Sequence, residues 1–224
     1  MAQFLYFLRA NPGTSDAYQA WWRDDLGPRV AASGDCTGLC VNLAVPGPGV
    51  ELYRDEARVG EGYDVTLDLD CPDGAAHDRL MAAFGDEIAA RTEIDFGYEV
   101  ERSVEQDDAV RLAGNPTPGL KLVRGFFAHA DLSPAAFRRS WDNHVGWARK
   151  IHGFARYVRY FVIRPVTKGA PEIQGATNLH FATDRDVVER YFTVDGGREM
   201  IAQDIRHFID RGLARVFTVE HRLK

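Results

Sequence analysis

The chain has 224 residues, of which 45% are hydrophobic, and its formal net charge at pH 7 is -6. This hydrophobic content is sufficient for a buried core, so the composition excludes a disordered chain. The acidic balance argues against a nucleic-acid partner, because phosphate binding requires clustered positive charge.

The N-terminal residues and the cysteines indicate the cellular compartment of the protein. Residues 1–8 are apolar over too short a stretch to span a membrane, and they lack the basic start and cleavage site of a signal peptide. The three cysteines, Cys36, Cys40 and Cys71, form an odd set, and a strand would hold Cys36 too far from Cys40 for a disulfide. We therefore expect a cytoplasmic protein without membrane association.

The first half is predicted to run strand, helix, strand, strand, helix, strand. Thr14 offers a helix cap after the first strand, Gly27-Pro28 disturbs the helix that follows, and a polar loop begins after Pro46-Gly47-Pro48-Gly49. Residues 63–69 alternate between apolar and polar side chains, which is typical of a strand. The predicted strands cover residues 3–10, 36–45, 63–69 and 98–104, and the predicted helices cover 14–26 and 75–91.

The second half is predicted to repeat this order after a linker. Residues 105–119 contain acids, Gly114 and the turn sequence Asn115-Pro116-Thr117-Pro118-Gly119, which indicates a linker. The predicted strands cover residues 120–130, 154–164, 178–182 and 213–223. The predicted helices cover 133–151 and 187–211, the second with a break near residues 195–197.

An internal repeat supports the same plan. An ungapped shift of 119 residues superposes several aromatic, glycine and proline positions: Phe7 on Phe126, Trp22 on Trp141, Gly27 on Gly146, Gly34 on Gly153 and Pro46 on Pro165. This offset predicts two βαββαβ units, each with one apolar sheet face that needs a partner. The predicted fold is therefore α+β: ferredoxin-like units at residues 1–104 and 120–224, joined by the linker 105–119 and packed as a pseudo-dimeric α/β barrel.

His144 is the candidate catalytic residue. Ser133-Pro134 is typical of a helix start, and His144 shares the apolar stripe of that helix with Trp141 and Ile151. Burial disfavours the charged form of histidine, so its neighbours would tune its proton affinity to a range useful for acid–base catalysis. The alternative is a hydrogen-bonded histidine of the core, which is the more common role of a lone histidine on such a face.

The second half, residues 121–221, resembles the EthD-type family of the dimeric α/β-barrel superfamily. The resemblance rests on Phe126-Phe127, Leu132-Ser133-Pro134-Ala135-Ala136-Phe137, Trp141-Asp142-Asn143-His144, Ile151-His152-Gly153-Phe154, Tyr157-Val158, Leu179-His180-Phe181 and the late Asp204, Phe208 and Asp210. The first half resembles the family more weakly, through residues 18–22 and 26–28, and Asp25 stands where the family has its histidine. The resemblance implies the barrel fold for most of the chain and a working site at His144.

Six further residues are candidates for substrate binding: Trp141, Tyr157, Tyr160, Arg124, His180 and Asp25. Each has a structural alternative. Trp141 could simply pack in the core, the tyrosines could reflect the preference of tyrosine for strands, and His180 could be a hydrogen-bonded structural histidine. Strand arginines such as Arg124 and Arg159 are either exposed, paired or reserved for an anionic group. Asp25 could lie at a solvated helix end.

The sequence shows no metal-ligand set at the usual spacing and no phosphate-cradling loop. Relatives implied by the resemblance include cofactor-free cyclases, decarboxylases, dehydratases, isomerases and quinone-forming oxygenases, besides haem-binding enzymes. We therefore predict a cofactor-independent lyase or isomerase acting on a small apolar oxo or phenolic compound, with His144 as general acid and base. A haem enzyme with His144 or His180 on iron and a non-catalytic small-molecule binding module are the alternatives. The sequence leaves open whether two chains form a homodimer.

Overall fold

A computed structural model of the chain describes residues 1–48, 58–59, 62–111 and 116–224, with only the backbone path described at 58–59. Most of the polar loop predicted after Pro48 lies outside the described residues. So do residues 112–115 of the predicted linker.

The described chain contains ten strands and six α-helices. The strands are β1 Ala2–Ala10, β2 Gly38–Val45, β3 Arg58–Val59, β4 Val65–Cys71, β5 Thr92–Asp107, β6 Leu120–Ala128, β7 Arg156–Pro165, β8 Gly175–Phe181, β9 Ile209–Leu213 and β10 Val216–Arg222. The helices are α1 Ser15–Trp21, α2 Gly27–Ala32, α3 Gly74–Arg91, α4 Pro134–Ile151, α5 Asp184–Glu189 and α6 Gly197–Ile205. A π-helical turn, Trp22–Leu26, joins α1 to α2.

Eight strands close an antiparallel barrel in the order β1-β4-β2-β10-β6-β8-β7-β5 and back to β1. The order within the first half, β2-β4-β1-β5, matches the order β7-β8-β6-β10 within the second. The halves join where β5 pairs with β7 and where β10 pairs with β2. The predicted α+β barrel is confirmed, and it satisfies the sheet edges that two separate units would leave unpaired.

The barrel interior has an apolar cluster and a polar one. The apolar cluster includes Leu5, Phe7, Tyr98, Val100, Val123, Val158 and Tyr160. In the polar cluster the fully buried Lys121 ammonium donates to Asn42 Oδ1 at 2.7 Å and pairs with the Glu220 carboxylate. Burial alone would raise the pKa of Glu220, but the Lys121 charge holds it far below its usual range. These buried charges are therefore compensated.

The helices cover the outer faces of the sheet. In the first half, Phe4, Tyr6 and Leu8 of β1 pack with Trp22 and Leu80 in one cluster beneath α1, α2 and α3. In the second half, α4 begins after Ser133, whose Oγ accepts from Ala136 N, and buries Phe137, Trp141, His144, Ala148 and Ile151. The period-2 pattern of each strand thus serves two cores, one inside the barrel and one beneath the helices.

Three predicted boundaries are wrong. In the segment 187–211 the break predicted near residues 195–197 is present, with Gly196 at a positive φ of 72° before α6, but residues 209–213 are not helical and pair with β6 as strand β9. Strand β5 continues to Asp107 opposite Arg156, so the predicted linker begins inside the sheet. The first helix does not end at residue 26: it continues through Gly27-Pro28 to Ala32, and the disturbance predicted there takes the form of the π-helical turn, in which Gly27 N donates to Trp22 O.

Candidate active site

His144 lies on the buried face of α4, as its sequence position predicts. The side chain is 9% exposed. Its ring packs against Phe208 with 5.6 Å between ring centroids. Both residues line a cavity of about 60 Å³ between α4, α6 and the outer face of the second-half sheet. An imidazole therefore faces an enclosed, mainly apolar space.

Asp204 of α6 orients this imidazole. The His144 Nδ1 and Asp204 Oδ2 atoms lie 2.6 Å apart, and the Asp204 side chain remains 31% exposed. Because Nδ1 faces a carboxylate, it carries the proton, and Nε2 is then the atom that can accept one. Sequence analysis placed Asp204 only in a family pattern and missed this role. The sequence feature that could have indicated this role is the four-residue spacing of Asp204 and Phe208. In the structure both residues contact His144.

Trp141 and Tyr157 form one wall of the cavity. The Trp141 indole Nε1 donates to the Tyr157 hydroxyl at 3.0 Å, and burial raises the pKa of that phenol well above its usual value. Trp141 also stacks edgewise on Phe126 and Phe161. Gly175 permits this packing, because a Cβ there would overlap the indole ring. Both residues therefore line the cavity beside His144, and Trp141 is also part of a core cluster.

Arg124 lies on the same cavity from the β6 side. Its guanidinium is 5.4 Å from the centroid of the Phe126 ring. A Cβ at Gly212 would overlap this guanidinium, so the guanidinium would have to move if Gly212 were replaced. Arg215 also lines the cavity. The other strand arginine, Arg159, is paired with Glu105 at 2.8 Å and Asp142 at 2.9 Å, so the structure places it in an ion-pair network.

His152 is a cavity residue that the sequence showed only as part of the motif Ile151-His152-Gly153-Phe154. It lies at the end of α4, two turns after His144, and lines the same cavity. Its Nδ1 is hydrogen-bonded to the Tyr191 carbonyl oxygen. Burial lowers the pKa of His152 to about 4, so it is neutral near pH 7.

Two predicted binding residues, Tyr160 and His180, lie on the other face of the sheet. The Tyr160 hydroxyl donates to Asp68 inside the barrel. His180 pairs with Lys121 in the β6–β8 register, and its Nε2 lies 2.8 Å from the Pro118 carbonyl oxygen. Neither residue lines the His144 cavity, because side chains of alternate parity leave a strand on opposite faces. The place of His180 agrees with its alternative interpretation as a hydrogen-bonded structural histidine.

Asp25 does not line the His144 cavity and lies at the surface of the first half, as its alternative interpretation predicts. Its side chain is 58% exposed and pairs with Arg29 at 3.1 Å. The buried residues after Trp22 are Leu26 and Val30, whereas those after Trp141 are His144 and Ala148. The π-helical turn adds one residue to the first helix. Leu26, rather than Asp25, therefore takes the position of His144.

The described residues contain no group of three or more His, Cys, Asp or Glu side chains that could hold a metal ion. Within the same residues, no helix is long and apolar enough to cross a membrane.

Comparison with solved structures identifies proteins of the same fold. An anthrone oxidase-like protein superposes with a TM-score of 0.66 over 99% of this chain and 91% of its own, at 11% identity. A candidate monooxygenase from Fusobacterium nucleatum gives 0.59 over 100% and 92%, also at 11% identity. A mutant chlorite dismutase from Candidatus Nitrospira defluvii gives 0.56 over 99% and 92%, at 11% identity.

The chain shares its eight-stranded α+β barrel fold with these proteins. No family model matches the sequence. No curated protein matches it either. At identities near 11% the likeness shows a common fold only. A function for this chain therefore has to be inferred from its own side chains.

Proposed function

We propose that the chain is a cofactor-independent enzyme that transfers a proton on a small, largely apolar oxo or phenolic compound. The observation that carries this proposal is the 2.6 Å contact between His144 Nδ1 and Asp204 Oδ2 at the edge of an apolar cavity. A histidine oriented by a carboxylate is a general base with a defined tautomer.

The proposed step follows from this geometry. Nε2 of His144 accepts a proton from the carbon next to a carbonyl group, or from a phenol. The electron pair of the broken C–H bond moves onto the carbonyl oxygen as an enolate. Asp204 stabilises the imidazolium that forms, because its carboxylate accepts the Nδ1 proton in a charge-assisted hydrogen bond. The same imidazolium then returns the proton to another atom or to a leaving hydroxyl group.

Two side chains are placed to stabilise the enolate oxygen. Tyr157 accepts from Trp141 and keeps its own hydroxyl proton near pH 7, because burial raises its pKa. It can therefore donate to the oxyanion. Arg124 contributes a positive charge to the same cavity wall. In a space shielded from water such donors are worth more than in bulk solvent.

The reaction that follows the enolate distinguishes two classes of enzyme. Return of the proton gives an isomerase or a lyase, whereas reaction of the carbanion with dioxygen gives an oxygenase. The names of the anthrone oxidase-like and monooxygenase neighbours support the second route, and both routes begin with the same proton transfer. We propose the proton transfer as the shared step and favour the lyase or isomerase outcome, which requires only His144 and Asp204.

Anthrone is a suitable probe for two reasons. It is an activated carbon acid, and it appears in the name of the anthrone oxidase-like neighbour. Incubation in D₂O without oxygen should exchange its acidic C–H, as followed by NMR, and His144→Ala should abolish the enzymatic part. An oxygen electrode then separates the classes, because uptake with quinone formation indicates an oxygenase. The proposal fails if wild-type and His144→Ala protein exchange the probe at the same rate.

A haem protein is the second candidate, since a carboxylate behind a histidine is also a common arrangement at metal-binding histidines. His144 would be the ligand. The cavity beside it is about 60 Å³, room for about four water-sized groups, so the residues as they stand do not enclose the macrocycle of a haem. Haemin titration tests this candidate, because an intense His144-dependent absorbance band would favour it.

We also propose that the barrel consists of two ferredoxin-like units, residues 1–104 and 120–224. The common strand order of the two halves, with the second strand outermost and the first between the third and fourth, supports this interpretation.

A further inference from the structure

A second enclosed cavity lies in the first half, on the face of the sheet that α2 and α3 cover. Its volume is about 40 Å³. The walls are almost entirely apolar: Leu8, Val30, Leu39, Leu67, Leu69, Met81 and Ile88, with Tyr6, Trp22, Gly85 and Asp95 completing the lining. It occupies the place in the first half that the His144 cavity occupies in the second.

Two polar atoms on this cavity have no hydrogen-bond partner among the described residues: Trp22 Nε1 and Asp95 Oδ1. The Trp22 side chain is 99% buried, since the residue is only 1% exposed. Of the neighbouring phenols, Tyr6 Oη lies 2.5 Å from His77 Nε2, and Tyr18, whose ring packs edgewise on Trp22, has its Oη 2.7 Å from Thr92 Oγ1. One donor and one acceptor therefore border the same apolar space.

Leaving such groups unpaired destabilises a folded protein, so an occupant that satisfies both would be held firmly. A hydroxyl group can do this, since it donates to the Asp95 carboxylate and accepts from the Trp22 N–H. We propose that this cavity is a binding site for a small neutral hydroxylated compound of about the size of a phenol, with its hydroxyl group between Trp22 and Asp95 and its apolar body toward Gly85.

Gly85 of α3 supplies the remaining room. A Cβ built at this position meets no described atom within 4 Å, although the residue borders the cavity. The enclosed 40 Å³ takes about three water-sized groups, which is enough for a hydroxyl group and the carbons next to it. The rest of a ring extends past Gly85. The site is independent of His144 and of the reaction proposed there.

The test uses 4-fluorophenol and the full chain labelled with ¹⁵N. The Trp22 indole N–H resonance, assigned with Trp22→Phe, should move downfield and saturate during titration. Gly85→Phe should remove this response by filling the space. Gly146→Phe is the matched control, since Gly146 is a helical glycine of α4 with equally open surroundings, and it should leave the Trp22 response unchanged.

Asp95→Val tests the acceptor with little change in side-chain volume, and it should weaken the dissociation constant for 4-fluorophenol at least tenfold. Unchanged affinity in Asp95→Val would overturn the proposal. So would a saturable response confined to the Trp141 indole, which would place the probe in the His144 cavity, or the absence of a saturable response at either indole, which would leave water as the occupant of the first-half cavity.

Discussion

The two halves of the barrel have similar sequences beneath their first helices, but they bury different functional groups there. Trp22 and Trp141, 119 residues apart, both lie fully or almost fully buried between the first helix of their half and the sheet. One turn later the second half buries His144, which lines its cavity, while the first half buries Leu26. The second half thus has a proton-transfer group where the first has a packing residue.

A single inserted residue accounts for much of this difference. The π-helical turn Trp22–Leu26 rotates the following residues, so Asp25 reaches solvent and Arg29 instead of the cavity. The lesson is that a gapless alignment can be correct for the tryptophan and wrong one turn later.

The two cavities also hold titratable groups with opposite behaviour. Burial lowers the pKa of His152 in the second half and raises the pKa of Asp95 in the first, since it disfavours the charged form of each. Acid should therefore destabilise the second half through His152, and base should destabilise the first half through Asp95.

The largest expected effect breaks the comparison at His144. His144→Ala should reduce proton transfer on anthrone by about 10²–10⁴-fold, because the general base is lost. Asp25→Asn should leave the rate unchanged, since Asp25 faces solvent. Rates are measured by C–H exchange, with circular dichroism to check folding. An inactive Asp25→Asn beside an active His144→Ala would place the chemistry in the first half.

The next effect concerns acid stability. The folded pKa of His152 is about 4, below the ordinary 6.5, so the folded chain binds fewer protons than the unfolded chain between these values. Stability should fall by about 3 kcal/mol as pH drops from 6.5 to 4. His152→Asn, whose side-chain amide can still donate to Tyr191, should lose less. Urea unfolding at pH 7 and 4.5 measures this.

The exposed His207 supplies the control for this measurement. His207→Asn should retain the full acid-dependent loss of stability. Equal pH dependence in His152→Asn and wild type would show that another group governs the acid response.

Asp204→Asn removes the carboxylate that orients His144. The first half has no such carboxylate at the equivalent position, so this variant makes the two halves more alike. The expected loss is about 10- to 100-fold in kcat with little change in KM, because the substrate is still bound while the base is poorly held. Asp204→Glu should recover part of the rate. Asp210→Asn, at an exposed pair with Arg211, is the control and should be neutral. A rise in KM alone would instead indicate a role in binding.

The smallest effect is at Asp95. Its folded pKa, raised to about 6 from the ordinary 3.8, means that the folded chain binds more protons between these values. Stability should therefore decline as pH rises through this window, and the full destabilisation should be present above it. Asp95→Asn should stabilise the chain by about 1–2 kcal/mol at pH 8 and by nothing measurable at pH 4. Thermal unfolding at pH 8 and pH 4 measures this, with the exposed Asp131→Asn as the control. If Asp95→Asn and Asp131→Asn changed the stability alike, the prediction would be contradicted.

Part of the site could be predicted because it depends on local pattern. Ser133-Pro134 and the stripe through Trp141 and Ile151 placed His144 on the buried face of α4, and the barrel was predicted from the internal repeat and its two apolar sheet faces. The sequence does not show which strand face the barrel encloses, so it could not show that Tyr160 and His180 lie away from the His144 cavity. It missed Asp204 and His152, whose partners in space lie 60 and 39 residues away.

The amino-acid sequence by itself determined the order of helices and strands, the need for two apolar sheet faces to meet, and the burial of His144, since periodicity and capping act over a few residues. Only the tertiary structure decided the π-helical turn, the extension of β5 to Asp107 and the conversion of residues 209–213 to strand. These features depend on packing and on hydrogen-bond partners from distant segments. Local propensity is weak beside such contacts, so the register of Asp25 and the choice of Asp204 were settled by the assembled barrel and its helices.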